Sequence, residues 1–477
     1  MNPSPLSRPP VPQPPDHFPA VLERLRRALG TDCVLSSAVE RQAYGWDNTG
    51  SCHPPWAVVL ASNRQQVEAT LRLCQEAAIP VIPRGAGTGN VGGALAVQGG
   101  VVLSLQRLDR ILEVSVADRL AVVEPGVVHA DLQARLKPYG LFWPPAPSSS
   151  RSCSVGGNLA MCAAGANAVR YGVTRDWVLG LEALLADGSL FRTGGRTTKG
   201  VVGYDLTRLL IGSEGSLAVI TQATLKLAPL PEAHHLLRAI FPSVAVATQG
   251  VCALMAAGES PTAIEFLDES ALNLLRQEGA VSLPPTGAAM LLVELSGSAA
   301  SMETMVAEML ARLAPFDCVE LVHAGAEEAA TLWAARYALS PVLKKLAPKR
   351  INEDVVVPVS RLPELMEGVA AISQSSQIPI VNFGHAGNGN IHVNLLVDPA
   401  DAAVMAAVPA TLARIFRLVL DLGGSLSGEH GIGIQKQAFL PWEVDATALQ
   451  LQQRIKAAFD PRGILNPGKI FPPQNSI

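Results

Sequence analysis

The hydrophobic pattern changes character about halfway along the chain. In the first half, short runs of aliphatic residues separated by glycine predict strands at residues 57–60, 101–105, 121–123 and 217–220. Between the first two strands, Val67, Leu71 and Cys74 recur at three- and four-residue spacing, which predicts a helix over residues 63–78. The first half is therefore predicted to be α+β.

The segment Ala228-Pro229-Leu230-Pro231 predicts a break in the chain. Beyond it, alanine- and leucine-rich helical patterns alternate with predicted strands, which favours an antiparallel sheet covered by helices. The predicted helices are 301–313, 404–422 and 447–459, and the predicted strands are 262–266, 289–295, 354–358 and 390–397. We expect a flexible, proline-rich leader over 1–19, domains over 20–228 and 229–425, and a C-terminal segment over 426–477.

Composition narrows the class of protein. The chain has 477 residues, of which 48% are hydrophobic and 16% charged, a balance typical of a large, well-packed enzyme. The net charge of -4 and the lack of a basic stripe exclude nucleic acid as the main partner. Seven cysteines without a CxxC pair argue against a disulfide framework, an iron-sulfur cluster or a structural zinc site.

The chain shows neither a secretory signal nor an uninterrupted apolar run of the roughly 18 residues that a transmembrane segment needs. We therefore expect a cytoplasmic protein without a transmembrane segment. Peripheral association with the inner face of a membrane stays open.

Three glycine-rich loops in the first half are candidates for holding a phosphate-bearing cofactor. Residues 83–93 follow an apolar strand, and their glycines allow backbone N–H groups to approach a pyrophosphate closely. Gly87, Gly89 and Gly92 match a dinucleotide fingerprint, but too few residues follow for the crossover helix that this fingerprint requires. Further loops at 147–158 and 212–217 add hydroxyl and amide groups. Each alone is compatible with a ligand-free turn, whereas three together favour a cofactor.

Histidines and a carboxylate in the second half form a candidate metal site. His385 and His392 would lie on opposite faces of one regular strand, but the intervening Gly-Asn-Gly-Asn predicts a turn that lets their imidazoles converge. Asn394 shares a face with His392 if a strand follows. Glu429 and His430 lie in a separate, glycine-flanked loop. Two histidines and one carboxylate suit a divalent metal that keeps coordination positions open for substrate.

Taken in order, these loops resemble those of the FAD-linked oxidase family, whose flavin domain is of the vanillyl-alcohol-oxidase type. The likeness is greatest to D-lactate dehydrogenases, glycolate oxidase flavoprotein subunits and D-2-hydroxyglutarate dehydrogenases. The resemblance implies an α+β protein with a two-part FAD-binding domain, an antiparallel-sheet substrate-capping domain and a short C-terminal helical segment. The segments that carry it are 84–89, 154–158, 212–215, 384–390, 427–431 and 466–469.

The resemblance also implies which residues bind FAD. Thr88 and Gly89 occupy the stretch where relatives with covalently attached flavin often have a histidine, so we expect non-covalent FAD. The residues assigned to the cofactor are Pro83, Arg84, Gly85, Ala86, Gly87, Thr88, Gly89, Pro147, Ser148, Ser149, Ser154, Gly156, Gly157, Asn158, Glu214, Gly215, Ile220 and Asn466.

By the same resemblance, His385, His392 and Glu429 are the metal ligands. Zinc is favoured as the metal, and manganese, iron and cobalt remain open.

Four further residues receive catalytic or substrate-binding roles from the resemblance. His430 is the base and contacts the substrate, and Arg336 is a catalytic residue that binds the substrate carboxylate with its guanidinium fork. Ser340, one helical turn after Arg336, and Asn394 complete the predicted substrate contacts.

The implied reaction is oxidation of a small D-2-hydroxy acid, with D-lactate favoured over glycolate. The hydroxyglutarate branch carries a lysine just before its Asp-x-x-x-Pro pattern, whereas this chain has Ile351-Asn352-Glu353 before Asp354. Lys349 and Arg350 are the available substitutes, so a D-2-hydroxyglutarate or broad D-2-hydroxy-acid dehydrogenase stays an alternative.

Two functions outside hydroxy-acid oxidation also stay open. One is a non-catalytic flavin-binding subunit of an oxidase complex, and the second is an aldonolactone or aromatic-alcohol oxidase without the metal. The electron acceptor stays open among a cytochrome, a quinone, an electron-transfer flavoprotein and an iron-sulfur subunit. A homodimer is equally compatible with the sequence.

Overall fold

The computed structural model describes residues 12–279 and 281–473. This part of the chain forms two compact units. The first unit comprises residues 12–164, 173–230 and 429–473, and the second comprises 165–172, 231–279 and 281–428. The sequence pattern placed the breaks after residues 228 and 425, and it did not indicate that 165–172 belongs to the second unit. Residues 1–11 of the expected leader lie outside the described residues, and Phe18 already begins a helix and packs into a core.

Eighteen strands are found among the described residues. In chain order they are β1 Val34–Leu35, β2 Ala57–Leu60, β3 Val81–Arg84, β4 Val101–Ser104, β5 Ile111–Ser115, β6 Leu120–Val123, β7 Leu141–Phe142, β8 Val178–Leu184, β9 Leu190–Gly194, β10 Val219–Lys226, β11 Ala228–Pro229, β12 Ala233–Phe241, β13 Ala263–Leu267, β14 Ala289–Gly297, β15 Glu320–Ala324, β16 Lys349–Val356, β17 Ile380–His385 and β18 Asn390–Val397.

Fifteen α-helices lie among the same described residues. In chain order they are α1 Phe18–Leu29, α2 Ala38–Gln42, α3 Arg64–Glu76, α4 His129–Leu136, α5 Val155–Met161, α6 Ala168–Tyr171, α7 Leu206–Leu210, α8 Val244–Met255, α9 Glu269–Glu278, α10 Ala299–Leu313, α11 Ala326–Val342, α12 Leu362–Ser376, α13 Ala402–Asp421, α14 Leu440–Glu443 and α15 Ala446–Phe459.

Two sheets organise the first unit. One has the order β1-β2-β4-β3, and the predicted helix α3 connects β2 to β3. This helix begins after Asn63, whose side chain caps Gln66 N, and it buries Val67, Leu71 and Cys74. β3 runs parallel to β4 without a helix between them, as the short spacing predicted. The second sheet, β5-β6-β10-β8-β9, is antiparallel.

The second unit is built on a seven-stranded antiparallel sheet in the order β15-β12-β14-β13-β17-β18-β16. Helices α9 and α11 bury their apolar residues against the face that carries Val381 and Phe383. Helices α8, α10 and α12 also pack on this sheet. The predicted α+β class and the helix-covered antiparallel sheet are therefore confirmed.

Helix α13 is the one helix in the described residues that is long and apolar enough to cross a membrane by length and composition. It nevertheless contains Arg414 and Arg417, and Arg414 donates to Ser375 Oγ on α12 at 2.9 Å. The buried residues of α13 repeat at helical spacing and the helix packs against α12, a pattern typical of a helix that covers a sheet.

A tight turn joins β17 to β18. Gly389 has φ +74°, and a Cβ atom on it would lie only 1.8 Å from the carbonyl oxygen of Val357. The turn sets Phe383 opposite His392 in the β17–β18 register, and His385 ends β17 beside it. Glycine is therefore required here by both conformation and space.

We predict that Gly389→Ala destabilises the second unit far more than Gly423→Ala. Gly423 has nearly the same φ, +73°, but a Cβ there would meet nothing within 4 Å, so Gly423→Ala isolates the conformational cost. That cost, on the order of 1 kcal/mol, should lower the apparent Tm by about 2–4 °C. Gly389→Ala adds a backbone clash and should lower the apparent Tm at least twice as far in a thermal melt. Equal shifts for the two variants would show that the clash is relieved without cost.

Candidate functional site

A deep cleft in the first unit is lined by the glycine-rich loops. It encloses about 1360 Å³ of empty space including its open mouth. The residues predicted to bind the cofactor all line this cleft except Asn466. The three loops that the sequence pattern singled out therefore converge on one cavity, although they are far apart in sequence.

Close backbone packing explains two of the glycines in the cleft wall. A Cβ on Gly85 would lie 2.3 Å from Ser154 Oγ, the side chain that caps α5 by accepting from Gly157 N. A Cβ on Gly156 would lie 2.5 Å from Cβ of Pro125. Since a side chain at either position would force the loops apart, these glycines let the backbone itself form the wall that faces a ligand.

Hydrogen bonds from the Arg84 guanidinium stabilise the glycine-rich loop over residues 83–93. Its Nη2 donates to the carbonyl oxygen of Trp46 at 2.8 Å, and its Nη1 donates to Ala94 O at 3.4 Å. A Cβ on Gly87 would meet the guanidinium, so the loop folds over the arginine. Burial lowers the pKa of Arg84, and Asp47 opposes that effect. The arginine therefore fixes the shape of the loop.

Glu214 anchors the C-terminal loop of the first unit. Its buried carboxylate accepts from the backbone N–H of Ile432 at 2.8 Å and of Gly433 at 2.9 Å. Burial raises the pKa of Glu214, and these two N–H groups and Lys469 oppose the rise. Asn466, predicted as a cofactor contact, donates to Gly93 O and to Glu214 O, and it is not among the residues that line the cleft.

The anchored loop brings Glu429 and His430 to the wall of the same cleft. His430 Nε2 lies 3.1 Å from Asn90 Nδ2, and Asn90 Oδ1 in turn accepts from Asn48 Nδ2 at 3.1 Å. The sequence pattern did not assign a role to Asn90 or Asn48. The available signal was that Asn90 is a polar amide within the glycine-rich loop.

A row of polar residues crosses four neighbouring strands of the second unit. Glu265 on β13 lies opposite His385 on β17, and Asp354 on β16 lies opposite His392 on β18. The rings of His385 and His392 are 5.2 Å apart, centroid to centroid, and nearly perpendicular. The predicted convergence of the two imidazoles is what the structure shows.

Glu265 lies at the β13 end of this row and contacts both His385 and Arg336. One of its oxygens lies 2.5 Å from His385 Nδ1 and the other 2.6 Å from Arg336 Nη2, and its side chain is 1% exposed. Burial alone would raise the pKa of Glu265, but His385 and Arg336 outweigh it and hold the pKa below its usual value. An ionised Glu265 accepts the Nδ1 proton of His385, so the neutral form of this imidazole has its lone pair on Nε2, the arrangement typical of a metal-binding histidine.

The guanidinium of Arg336 on α11 has a buried donor atom that a ligand could satisfy. It is 6% exposed, its guanidinium lies 4.7 Å from the ring centroid of Phe383, and its Nε has no hydrogen-bond partner among the described residues. A buried donor without a partner is costly, so an acceptor from a ligand would be stabilising there. Ser340 follows one turn later on α11 and is half-buried.

Asp354 and Asn390 stabilise the other end of the row. Asp354 is fully buried, accepts from Asn390 Nδ2 at 2.7 Å and lies 3.6 Å from His392 Nδ1. Asn394 lies on the same face of β18 as His392. Its Nδ2 donates to the carbonyl oxygens of Val381 and His392, while its buried Oδ1 has no hydrogen-bond partner among the described residues. That oxygen can accept from a substrate hydroxyl.

Sequence reasoning missed Glu265 and Asp354 as site residues. Glu265 lies inside the buried strand Ala263–Leu267, and a charged residue in an otherwise apolar run was the available signal. Asp354 was recognised only as part of a spacing pattern. Both contact histidines that are distant in sequence.

The residues present fit both expected groups. The cleft offers a long glycine-lined wall of backbone to a dinucleotide. The second unit offers two imidazoles, one of them oriented by a carboxylate, to a divalent metal.

Two family models match the chain. Residues 55–194 match the FAD binding domain, and residues 230–470 match the C-terminal domain of FAD linked oxidases. The second match starts where the structure begins its second unit and continues through the loop that carries His430.

Curated relatives match over nearly their whole length. The glycolate oxidase subunit GlcD of Bacillus subtilis is 37% identical over 453 residues, covering 94% of this chain and 96% of its own. A probable mitochondrial D-lactate dehydrogenase of Danio rerio is 36% identical, covering 94% and 91%. The D-2-hydroxyglutarate dehydrogenase of Stutzerimonas stutzeri is 32% identical, covering 95% and 99%.

Solved structures share the fold. A p-cresol methylhydroxylase with substrate bound superposes with a TM-score of 0.82 at 18% identity, covering 98% of this chain and 99% of that one. At this identity the likeness concerns the fold alone. Together with the family models and the full-length relatives, it shows that the chain belongs to the family of FAD-linked oxidases.

Proposed function

We propose that the chain catalyses the FAD-dependent, metal-assisted oxidation of a small D-2-hydroxy acid to the 2-oxo acid, with D-lactate as the favoured substrate and glycolate as the next. The observation that carries the proposal is the buried Glu265 between His385 and Arg336, since it prepares one side chain for a metal and the other for a carboxylate. The full-length relatives named for glycolate, D-lactate and D-2-hydroxyglutarate support the substrate class.

In the proposed site, non-covalent FAD lies in the cleft of the first unit, held by the glycine loops. FAD, when bound, supplies the two-electron acceptor for the hydride that leaves the α-carbon. The cleft wall carries Thr88 and Gly89 and no histidine at that point of the loop, which supports non-covalent attachment.

We further propose that Glu429 joins His385 and His392 as a metal ligand. The proposal is supported by Gly428, the residue directly before Glu429 in the chain, since a Cβ on Gly428 would lie 2.3 Å from Asn390 Nδ2. A divalent metal, zinc in the favoured case, when bound by these side chains would polarise the substrate oxygens and acidify the α-hydroxyl.

The chain's own residues then perform three tasks. Arg336 binds the substrate carboxylate through its unsatisfied Nε, while Glu265 keeps the guanidinium in place. Asn394 Oδ1 accepts from the substrate. His430 takes the hydroxyl proton as the α-hydrogen departs, so that the substrate loses one proton and one hydride and becomes the 2-oxo acid.

A second candidate function is oxidation of D-2-hydroxyglutarate. It is favoured by Arg350, which lies on the same face of β16 as Asp354 and Asn352 and whose Nη1 is buried without a hydrogen-bond partner among the described residues. Burial lowers the pKa of Arg350. A second substrate carboxylate would satisfy this guanidinium.

An anaerobic flavin-reduction screen tests the proposed function. We expect D-lactate to bleach the flavin fastest, glycolate more slowly and L-lactate slowest, and we expect a chelator to abolish reduction by all three. Fastest bleaching by D-2-hydroxyglutarate would favour the second candidate. Bleaching by no hydroxy acid, even with added zinc or manganese, would instead favour a non-catalytic flavin subunit.

His430→Ala should lower the rate constant of anaerobic flavin reduction by about 10²- to 10⁴-fold, because the proton acceptor is lost. FAD content, measured by absorbance after gel filtration, should stay at the wild-type level. His17→Ala, which removes an exposed histidine of the same unit, is the matched control and should reduce flavin normally. A wild-type rate in His430→Ala would refute the assignment of the base.

His385→Ala should lose the bound metal and flavin reduction together while keeping FAD. The control is His234→Ala, an exposed histidine of the same unit that pairs with Glu294, and it should keep its metal. Metal content is measured by inductively coupled plasma mass spectrometry on the purified holoenzyme. Full metal content with full activity in His385→Ala would contradict its role as a ligand.

A further inference from the structure

Two side chains of α4 hold the segment that leads into one wall of the cleft. Residues 147–149, here called the Pro-Ser wall, line the cleft. Just before them, the buried carbonyl oxygen of Pro145 lies 2.7 Å from His129 Nε2. One helical turn after His129, Gln133 Nε2 donates to Trp143 O at 2.5 Å, and Gln133 Oε1 accepts from Trp143 N at 3.2 Å.

The same helix holds the far side of the Pro-Ser wall. The backbone N–H of His129 donates to Cys153 O, and that of Ala130 donates to Ser150 O, both at 3.0 Å. The exit of the wall is thus bonded to backbone groups of α4, whereas its entrance is bonded to the side chains of His129 and Gln133. All these residues belong to the first unit.

These contacts fix the protonation form of His129. A carbonyl oxygen can only accept, so His129 Nε2 carries the hydrogen that Pro145 O accepts. Gln133 Nε2 also lies 3.3 Å from His129 Nε2, but both nitrogens are then donors and this contact adds no hydrogen bond. His129 Nδ1 is buried and has no hydrogen-bond partner among the described residues. The imidazole is therefore neutral, with its lone pair on Nδ1.

A positive charge on this imidazole is unfavourable. His129 is 3% exposed, and burial lowers its pKa, an effect that the hydrogen bond to Pro145 O only partly offsets. His129 is also the first residue of α4, where the helix dipole opposes a cation.

The groups around His129 supply no counter-charge. Its ring lies 5.6 Å from the ring of Trp143, centroid to centroid, and an indole does not titrate. The thiol of Cys153 stays neutral because burial raises its pKa. The charged residues of α4, Asp131 and Arg135, are exposed. No charged group among the described residues shifts the pKa of His129.

We propose that His129 and Gln133 are positioning residues that hold the Pro-Ser wall in the conformation that binds FAD. The proposal rests on the proposed occupancy of the cleft by FAD. A wall that is already ordered before the ligand arrives loses less conformational entropy on binding, so FAD is held more tightly. Because the closed form of the wall contains a neutral imidazole, protonation of His129 favours an open form in which the imidazole contacts water.

The direction of the pH dependence follows from the two forms. In the open form His129 has its usual pKa of about 6.5, whereas burial lowers its pKa in the closed form. As the pH falls below about 6.5, the open form binds protons first and becomes more populated. The stability of the closed form is therefore fully present above this pH and is lost below it. Between pH 7.5 and 5.5 the open population should rise about tenfold.

His129→Gln separates the hydrogen bond from the titration in the FAD-loaded full chain. A glutamine amide can donate to Pro145 O but does not titrate, so FAD should be released at the wild-type rate at pH 7.5. The increase in release rate between pH 7.5 and 5.5 should be about tenfold larger in the wild-type chain than in His129→Gln. Release is followed by the fluorescence of free FAD after dilution of the holoenzyme. An equal increase in both chains would overturn the proposal.

Two leucine variants test the hydrogen bonds themselves. His129→Leu leaves the buried Pro145 O without this donor and should release FAD about tenfold faster at pH 7.5. The bond of 3.0 Å from Ala146 N to Ala164 O still holds part of the entrance. Gln133→Leu should also release FAD about tenfold faster, but it should keep the acid-induced increase because His129 is present. Wild-type release at pH 7.5 in both variants would contradict the positioning role.

His53→Gln is the matched control for the pH dependence. His53 is a half-buried histidine of the same unit whose pKa is also lowered, by burial and by Lys469, and it does not line the cleft. This variant should release FAD as the wild-type chain does at both pH values. Loss of the acid-induced increase in His53→Gln would assign the titration to the wrong histidine and overturn the proposal.

A spectroscopic titration reports on the ring directly and does not need activity. With ¹³C-labelled histidine, the His129 signal, assigned by its loss in His129→Gln, should show a pKa below the usual value in the full chain. A usual pKa would overturn the proposal even if FAD is bound. A wild-type chain that takes up no FAD would instead refute the proposed occupancy of the cleft, which makes the two failures distinguishable.

Discussion

The polar row of the second unit depends on one buried negative charge. An isolated carboxylate in the interior costs several kcal/mol, and Glu265 offsets that cost by contacting His385 with one oxygen and Arg336 with the other. Since Glu265 lies directly opposite His385 across β13 and β17, the register of the sheet decides which way the imidazole faces. A slip of one residue would turn Glu265 to the opposite face and remove this carboxylate from both His385 and Arg336.

The first unit uses a buried carboxylate in a different way. Glu214 accepts backbone N–H groups from a loop 218 residues later in the sequence, and so anchors the segment that carries Glu429 and His430. Gly431 and Gly433 have positive φ and pack so closely against Glu214 and Val91 that no side chain fits. The glycine-flanked sequence around His430 is thus explained by the anchor as much as by chemistry at the histidine.

Local signals predicted the fold where local contacts decide it. β2 and β18 have the predicted bounds, and Asn63 caps the predicted helix α3. The sequence pattern did not predict β12. It predicted β16 to start five residues later than it does, because the charged residues Lys349 and Arg350 interrupt the apolar pattern typical of a buried strand. Both strands form their backbone hydrogen bonds with strands that are distant in sequence. This pairing outweighs the low strand propensity of some of their own residues.

The same distinction holds for the candidate site. His385 and His392 could be paired from the sequence because one short turn joins their strands. Glu265 is 120 residues from His385, and Asn90 is 340 residues from His430, so no local pattern connects them. What the sequence lacks is the pairing of strands and loops, and it is this pairing that decides how the predicted histidines are held.

The fold does not select the substrate, since a p-cresol methylhydroxylase shares it at 18% identity. In the proposed function, the face that carries the polar row selects the substrate. Arg350 lies four residues from Asp354 along β16, about 13 Å away. Its side chain would have to extend toward Asp354 to contact the second carboxylate of a short diacid. Asn352 lies at half that distance, directly opposite Asn394, and both are neutral amides. The nearer position offers hydrogen bonds and no positive charge, which supports the proposal of a small monocarboxylate over a diacid.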